Sequence, residues 1–257
     1  MCGDGHSFDV ARQGYVNLLI AGQRRSRQPG DSKEMIQARR RFLASGRYDR
    51  LSDVLARVCA RAALAAQART GRVVTLLDVG CGEGHHTRRV ARELDQAEVE
   101  AVVAGIDVAK PAVAAAAQAH PAGSYAVATA ADLPVAEQGI DVLLDVFGPV
   151  VPAELARVVH PGGTAVIAHP GDEHLMALRR LVYDDPRPHD VKDPLREAGM
   201  WFAPAGSDRV TFPVVIDEDL FAMTPYRWHA PPDMAERLAA ADRRATADIV
   251  VTSYHRR

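Results

Sequence analysis

"VVTLLDVGCGEGHHT", residues 73–87, decides how this chain folds. Its first half is a run of apolar residues that reaches Asp78 and Val79, the pattern of a strand buried on both faces. Gly80, Gly82 and Gly84 then occupy alternate positions before a helical pattern starts at His85. Glycine is needed there because the strand must turn sharply and the backbone must approach a ligand, which a Cβ would obstruct. Strand, glycine turn and helix make the first half of a βαβ unit, so the chain beyond should alternate strands with helices.

It does. Strands are expected at 73–79, 102–107, 125–128, 140–146 and 164–168, with helices at 85–94, 111–119, 153–159 and 173–182 between and after them. The Pro-, Asp- and Arg-rich stretch 184–208 reads as irregular. An extended run at 209–216, a helix at 234–242 and a strand at 247–254 close the chain. Upstream, Asp31 or Ser32 suits the N-cap of a helix carrying Met35, Ile36, Ala38, Phe42 and Leu43, which Gly46 stops. A second helix follows with an apolar stripe of Leu51, Val54, Leu55, Val58 and Ala62, ending at Thr70 and Gly71. The expected architecture is therefore an α/β, Rossmann-like domain over 71–257, preceded by a small helical N-terminal region over 1–70.

The chain's 257 residues can bury a full core without staples, and 47% hydrophobic and 25% charged residues describe an ordinary globular protein. A net charge of -2 announces no polyanionic partner. Locally the picture differs. Residues 21–50 hold Arg24, Arg25, Arg27, Lys33, Arg39, Arg40, Arg41, Arg47 and Arg50 against Asp31, Glu34 and Asp49, a block that either meets phosphates or merely solvates a helix face. Three scattered cysteines, Cys2, Cys59 and Cys81, form no disulfide framework, and no apolar run suits a signal or a membrane span. A cytoplasmic protein without a membrane partner is expected.

The chemistry gathers at strand ends. Asp78 precedes Gly80 by two residues, and the glycines are spaced G-x-G-x-G, not G-x-G-x-x-G; this resembles the turn of class I S-adenosylmethionine-dependent methyltransferases. Asp107 ends the next strand, where a carboxylate can accept both ribose hydroxyls of a nucleoside; an NAD-dependent dehydrogenase, the structural competitor, uses the same device. After the fourth core strand comes "DVFGPV". Its Phe147 is a candidate to stack a planar substrate beside the methyl group, with Gly148 and Pro149 shaping the turn, or else it packs in the core. Asp145, His169 and Asp31 are candidate proton acceptors.

Taken together, "GHSFDVARQGYVNLL", "SRQPGDSKEMIQARRRFLASGRY", "LLDVGCGEG", "ELARVVHPGG", "HLMALRRLVY" and "MTPYRW" resemble the RlmA-type methyltransferases, which modify guanine N1 in a hairpin of large-subunit rRNA and include tylosin-resistance enzymes. The resemblance runs through nearly the whole chain in order. It implies S-adenosylmethionine as cofactor, large-subunit rRNA as partner, a homodimer, and a link to macrolide resistance. It also implies cofactor contacts for Tyr48, Gly84, His85 and His174, and closure of the 30–35 segment over the cofactor region. On their own residues, Tyr48 reads as a helix-flanking core aromatic and His174 as a surface residue near a helix N-terminus.

The family also has a small zinc module with four ligands, a CxxC pair followed by a Cys and a His four residues later. Cys2 and His6 match its second half only, and two ligands do not make a structural zinc site. The expectation is no stoichiometric zinc in this chain, through a start assigned too far downstream or a lost module. Without the module, a small-molecule methyltransferase on the same core is the main alternative function; a non-catalytic binding or dimerisation protein is the second.

Overall fold

Ser32 caps the first helix, α1 (Lys33–Ala44), by accepting a hydrogen bond from the Met35 amide at 3.3 Å. The computed structural model describes residues 7–19 and 30–257, and the calls on Cys2, His6, Arg24, Arg25 and Arg27 lie outside these. Replacing Ser32 with Ala should lower thermal stability by about 1 kcal/mol, the usual worth of an N-cap; melting followed by circular dichroism checks it. Helix α2 (Asp49–Thr70) ends at Gly71, whose left-handed φ of 64° returns an amide to the Gln67 carbonyl. The chain then enters the sheet directly, so the N-terminal end of α2 lies at the opposite, carboxyl edge of the parallel strands.

The sheet has eight strands in the order β1-β4-β3-β2-β5-β6-β8-β7. These are β1 (Tyr15–Asn17), β2 (Val74–Val79), β3 (Ala101–Asp107), β4 (Ser124–Val127), β5 (Ile140–Val146), β6 (Val159–Pro170), β7 (Phe202–Val215) and β8 (Arg244–Arg256). The first six pair in parallel. β8 joins β6 antiparallel and β7 joins β8 antiparallel. The connecting helices are α3 (His85–Gln96), α4 (Lys110–Ala119), α5 (Pro152–Val158) and α6 (Met176–Val182), followed by α7 (Glu218–Met223) and α8 (Met234–Ala240). From β2 the chain winds outward through β3 and β4, then returns to wind the other way through β5 and β6. Open α/β sheets bind ligands in the crevice outside the strand ends at such a reversal, here between β2 and β5.

Alternation along the strands divides the core in two. Val74, Leu76, Val142, Leu144 and Val166 face Leu51, Leu55, Ala63 and Val90 of α2 and α3. Leu77, Val79, Leu143, Ala165 and Ile167 face Leu155 and Val158 of α5. The core is continuous across residue 70, since α2 packs on the sheet and β1 extends it beside β4.

The observed fold is the expected α/β, Rossmann-like one, with local corrections. Strand β6 starts at Val159, five residues before the expected start, because residues 159–163 stay paired with β5 through a register irregularity, with Gly162 at φ 80°. Residues 202–208 are strand, not irregular chain. Pro204 and Pro213 mislead there: β7 is the sheet's edge, where proline is tolerated, and a bulge lies between Pro204 and Gly206. Helix α6 begins at Met176, after a turn in which Leu175 adopts φ 52°. Neither β1 nor α7 was expected, both being too short for a periodic signal.

Candidate active site

The glycine turn leaves β2 with three left-handed residues, Gly80 at φ 75°, Gly82 at 56° and Gly84 at 78°. Two of them face open space: a Cβ on Gly80 would meet nothing nearer than the Gly148 Cα at 3.6 Å, and one on Gly82 nothing nearer than Arg39 at 3.8 Å. That room is a cradle. Gly84 has a different reason, because a Cβ there would press on Ala116 of α4 at 3.0 Å. The turn is held to β3 by the amides of Gly80 and Cys81, which both donate to the Ile106 carbonyl at 2.9 Å.

Asp107 ends β3 and ties the turn from the other side. Its carboxylate accepts the Gly82 amide at 3.0 Å and the Ala109 amide at 2.7 Å, one on each oxygen. Burial pushes this carboxyl up while the two amides pull it back. Each oxygen keeps a lone pair for a ligand.

Asp78 is 2% exposed at the end of β2. Its Oδ2 accepts the Thr87 hydroxyl at 2.5 Å, and its Oδ1 is buried without a partner. Burial, offset in part by Thr87 and reinforced by the charges of Asp145 and Asp107, pushes its pKa up to about 7. A buried, half-satisfied carboxylate beside an open glycine cradle fits a cationic ligand, which is what the amino-acid end of S-adenosylmethionine offers. The residues present therefore fit this cofactor.

A roof comes from the N-terminal region. Gly30 sits at φ 81°, and a Cβ there would meet Val108 at 2.9 Å and Ala109 at 3.1 Å, so residues 30–31 lie directly on the β3–α4 loop. Asp31 pairs with Arg39 at 2.5 Å, and Arg39 also donates to the Met223 carbonyl at 3.1 Å. Asp31 is thus committed to an ion pair. Tyr48, the α2 N-cap residue, is buried between Phe42 and Phe212 in edge contacts at 5.1 and 5.4 Å, and burial pushes its phenol up. One turn on, the Ser52 hydroxyl meets His86 Nδ1 at 3.1 Å. His85 opens α3 and stacks edge-on against His86; burial holds both imidazoles down, His86 to about 3.

On the other flank, Phe147 leaves β5 with φ 58° and is 42% exposed, so it is outside the core. A left-handed phenylalanine costs about 1–2 kcal/mol of backbone energy. Its amide is held by the Ala168 carbonyl at 2.9 Å, next to His169, whose Nδ1 lies 3.2 Å from the Pro170 carbonyl. Asp145 turns back to accept the Gly148 amide at 2.8 Å through Oδ1, while its Oδ2 is buried and unpartnered. Burial, tempered by Gly148, raises Asp145 to about 6.

His174 is not the surface residue its sequence context suggested. It is 6% exposed, its ring centroid is 5.5 Å from that of Phe147, and its Nδ1 accepts the Asp248 amide at 3.2 Å. A neutral ring with an occupied Nδ1 carries its proton on Nε2. Burial and nearby His189 lower its pKa to about 4, so the neutral form dominates at pH 7. Asp248 anchors this corner: its carboxylate takes two bonds from Arg209 at 2.7 Å and the Glu173 amide at 3.1 Å. Arg209 also bonds Asp172.

The structure thus gathers Asp78, Gly80, Gly82, Gly84 and Asp107 around one cradle, with Phe147, Asp145, His169 and His174 on its β5 and β6 side. Sequence reading missed Arg39, Asp248 and Arg209. Only Asp248 carried a signal, a lone carboxylate within the apolar run 245–251. The basic block is largely committed: Arg41 pairs with Asp219 at 2.6 Å, and Arg47 pairs with Asp217 at 2.5 Å while lying over the Phe42 ring. Among the described residues no group of three or more His, Cys, Asp or Glu could hold a metal, and Cys59 and Cys81 are buried thiols. No step below uses zinc.

Two family models match the chain, "Methyltransferase domain" over residues 76–163 and "RlmA, N-terminal" over residues 1–27. The chain is similar to the "23S rRNA (guanine(748)-N(1))-methyltransferase" of Streptomyces fradiae, 38% identical over 245 residues that span 93% of this chain and 83% of that protein. It is also similar to a Micromonospora griseorubida protein named "Putative 23S rRNA (guanine-N(1)-)-methyltransferase", 38% identical over 270 residues, 97% of this chain and 87% of that protein. A third relative, from Bacillus subtilis (strain 168) and similarly named, is 30% identical over 259 residues, 96% of this chain and 88% of its own.

Proposed function

Because this chain belongs to the RlmA-type family of 23S rRNA guanine-N1 methyltransferases, we propose that it transfers a methyl group from S-adenosylmethionine to N1 of a guanine in a hairpin of large-subunit rRNA. The observation that carries this reading is Phe147: a strained, exposed aromatic whose turn lies against the cofactor cradle through Gly148, 3.6 Å from the position of a Gly80 Cβ. A flat base laid on that ring would lie next to the transferable methyl group. Trp228, 63% exposed with Arg227 over its ring at 5.0 Å, supports an unpaired nucleic-acid substrate, since splayed bases stack on such surfaces.

Asp107 would hold the cofactor's ribose hydroxyls, the glycine turn its amino-acid portion, and Asp78 Oδ1 its ammonium. When bound, the cofactor supplies a methyl carbon activated by sulfonium; guanine N1 bonds to that carbon and the carbon–sulfur electron pair stays on sulfur. The chain's own work is alignment and proton removal. Phe147 fixes the plane of the base. Asp145 Oδ2, unpartnered and largely ionised at pH 7, takes the N1 proton. His174 presents Nε2–H and acts as a donor, since Nδ1 is already occupied. The family resemblance extends the reading to a homodimer, to the cytoplasm where ribosomes are made, and to protection against macrolides.

Asp78 gives this reading a pH signature. A cationic ligand favours the ionised carboxylate, so cofactor affinity is full above pH 7 and falls as Asp78 protonates below it, by up to about tenfold per pH unit. Calorimetric titration between pH 8 and pH 5.5 should show this decline, and Asp78→Asn should bind weakly with a flat profile. A wild-type profile without slope would remove Asp78 from the ammonium site. The function itself is tested by labelled methyl transfer to unmodified 23S rRNA. Incorporation supports the rRNA reading; cofactor binding without incorporation moves the search to small-molecule acceptors.

A further inference from the structure

Arg179 has a buried charge that the fold leaves unanswered. It lies on α6, one turn after Leu175, and its Nε and Nη1 are buried without a hydrogen-bond partner. Elsewhere among the described residues, buried arginine contacts are answered: Arg209 has Asp248, Arg157 has Glu154 and Arg39 has Asp31. An uncompensated buried guanidinium is expensive, and no contact within the protein explains its retention.

Its surroundings show what it faces. The positive charge of Arg179 depresses the pKa of His174, His189 and Tyr226 alike. These three form one cluster: His189 Nε2 meets the Tyr226 hydroxyl at 3.2 Å, and the His189 and His174 rings are 6.2 Å apart. His174 in turn lies against Phe147. The cluster is aromatic, rich in donors and free of carboxylates that could serve the arginine. Tyr183 and His229 continue it outward, with rings 5.7 Å apart.

We propose that Arg179 is a catalytic residue of this site, donating a hydrogen bond to O6 of the target guanine as N1 loses its proton. The inference rests on the guanine-N1 reading above and assigns the missing half of its chemistry. When N1–H gives its proton to a carboxylate, the electron pair left behind spreads over N1, C6 and O6. That negative charge exists until the N1–methyl bond forms. Neutral guanine N1 is a weak acid, and a guanidinium fixed at O6 favours the anion more than the neutral base, which is selective stabilisation of the species that reacts. The same contact completes the hydrogen bonding of Nε or Nη1, so the fold's unanswered charge is answered when substrate is bound. O6 is also the atom by which arginine commonly recognises guanine.

The test compares wild type, Arg179→Gln and Arg179→Lys for kcat against pH, with 23S rRNA and S-adenosylmethionine saturating. In wild type, kcat should rise with pH and level off. Arg179→Gln should lower kcat at pH 7 by about tenfold or more and move the rise upward by about one pH unit, so that the deficit narrows at high pH. Arg179→Lys, which keeps the charge, should fall between. Both variants should melt no lower than wild type, since no internal partner is lost. An unshifted profile in both variants overturns the inference. So does a loss confined to rRNA affinity and its salt dependence, which would make Arg179 a phosphate contact. If wild type forms no 1-methylguanosine, the functional reading falls and the inference with it; if wild type forms it and the profiles coincide, the inference alone falls.

Discussion

Asp107→Ala weakens S-adenosylmethionine binding by about two orders of magnitude or more. Two losses combine. The carboxylate supplies the acceptors at the position where ribose hydroxyls lie, and hydrogen bonds to a charged group are worth about 1.5–3 kcal/mol each. It also fixes the Gly82 and Ala109 amides at 3.0 and 2.7 Å, so its removal loosens the glycine turn that the amino-acid end needs. Asp107→Asn should do little better, because an amide presents one oxygen to two amide donors and turns its own N–H groups on the other. Equilibrium dialysis with labelled cofactor measures the effect, and thermal melting confirms that the variant is folded. Affinity within about threefold of wild type would show that the nucleoside binds elsewhere.

Phe147→Ala lowers kcat/KM for rRNA by about 10- to 100-fold while leaving cofactor affinity unchanged. The estimate follows from the worth of stacking a base on an aromatic ring, about 1–3 kcal/mol. The backbone at this position separates function from folding. Because Phe147 is held at φ 58° and is 42% exposed, Phe147→Gly removes backbone strain and little packing. It should therefore raise stability by about 1 kcal/mol while impairing transfer as much as alanine does. A glycine variant that loses stability and keeps activity would show that Phe147 is structural.

The sheet was largely legible because the residues that build it are periodic or conformationally demanding. Three alternate glycines after an apolar run admit few readings, and β5 was delimited to the residue by an apolar stretch between Gly139 and the Phe147–Pro149 turn. What failed was at the edge. The composition of 202–208 suits a loop, but β8 supplies pairing partners that hold it as strand, and long-range pairing leaves no trace in local sequence. The site divides in the same way. Asp78, Asp107 and Phe147 end strands and could be found by counting from them. His174 could not, because its burial depends on Asp248 and Arg209, more than thirty residues downstream and on other strands. Arg179 was invisible for a related reason: in "LMALRRLV" it is one of two adjacent arginines, and only the fold decides that one is half-buried without a partner while Arg180 is exposed.

The central claim is the identity of the methylated atom. The most direct measurement is to incubate the chain with S-adenosylmethionine and unmodified 23S rRNA, digest the RNA to nucleosides, and quantify methylated guanosines by mass spectrometry. The account predicts 1-methylguanosine approaching one per rRNA, lost with Phe147→Ala and Asp107→Ala. Methylation at another guanine atom, or none while the cofactor binds, would contradict it.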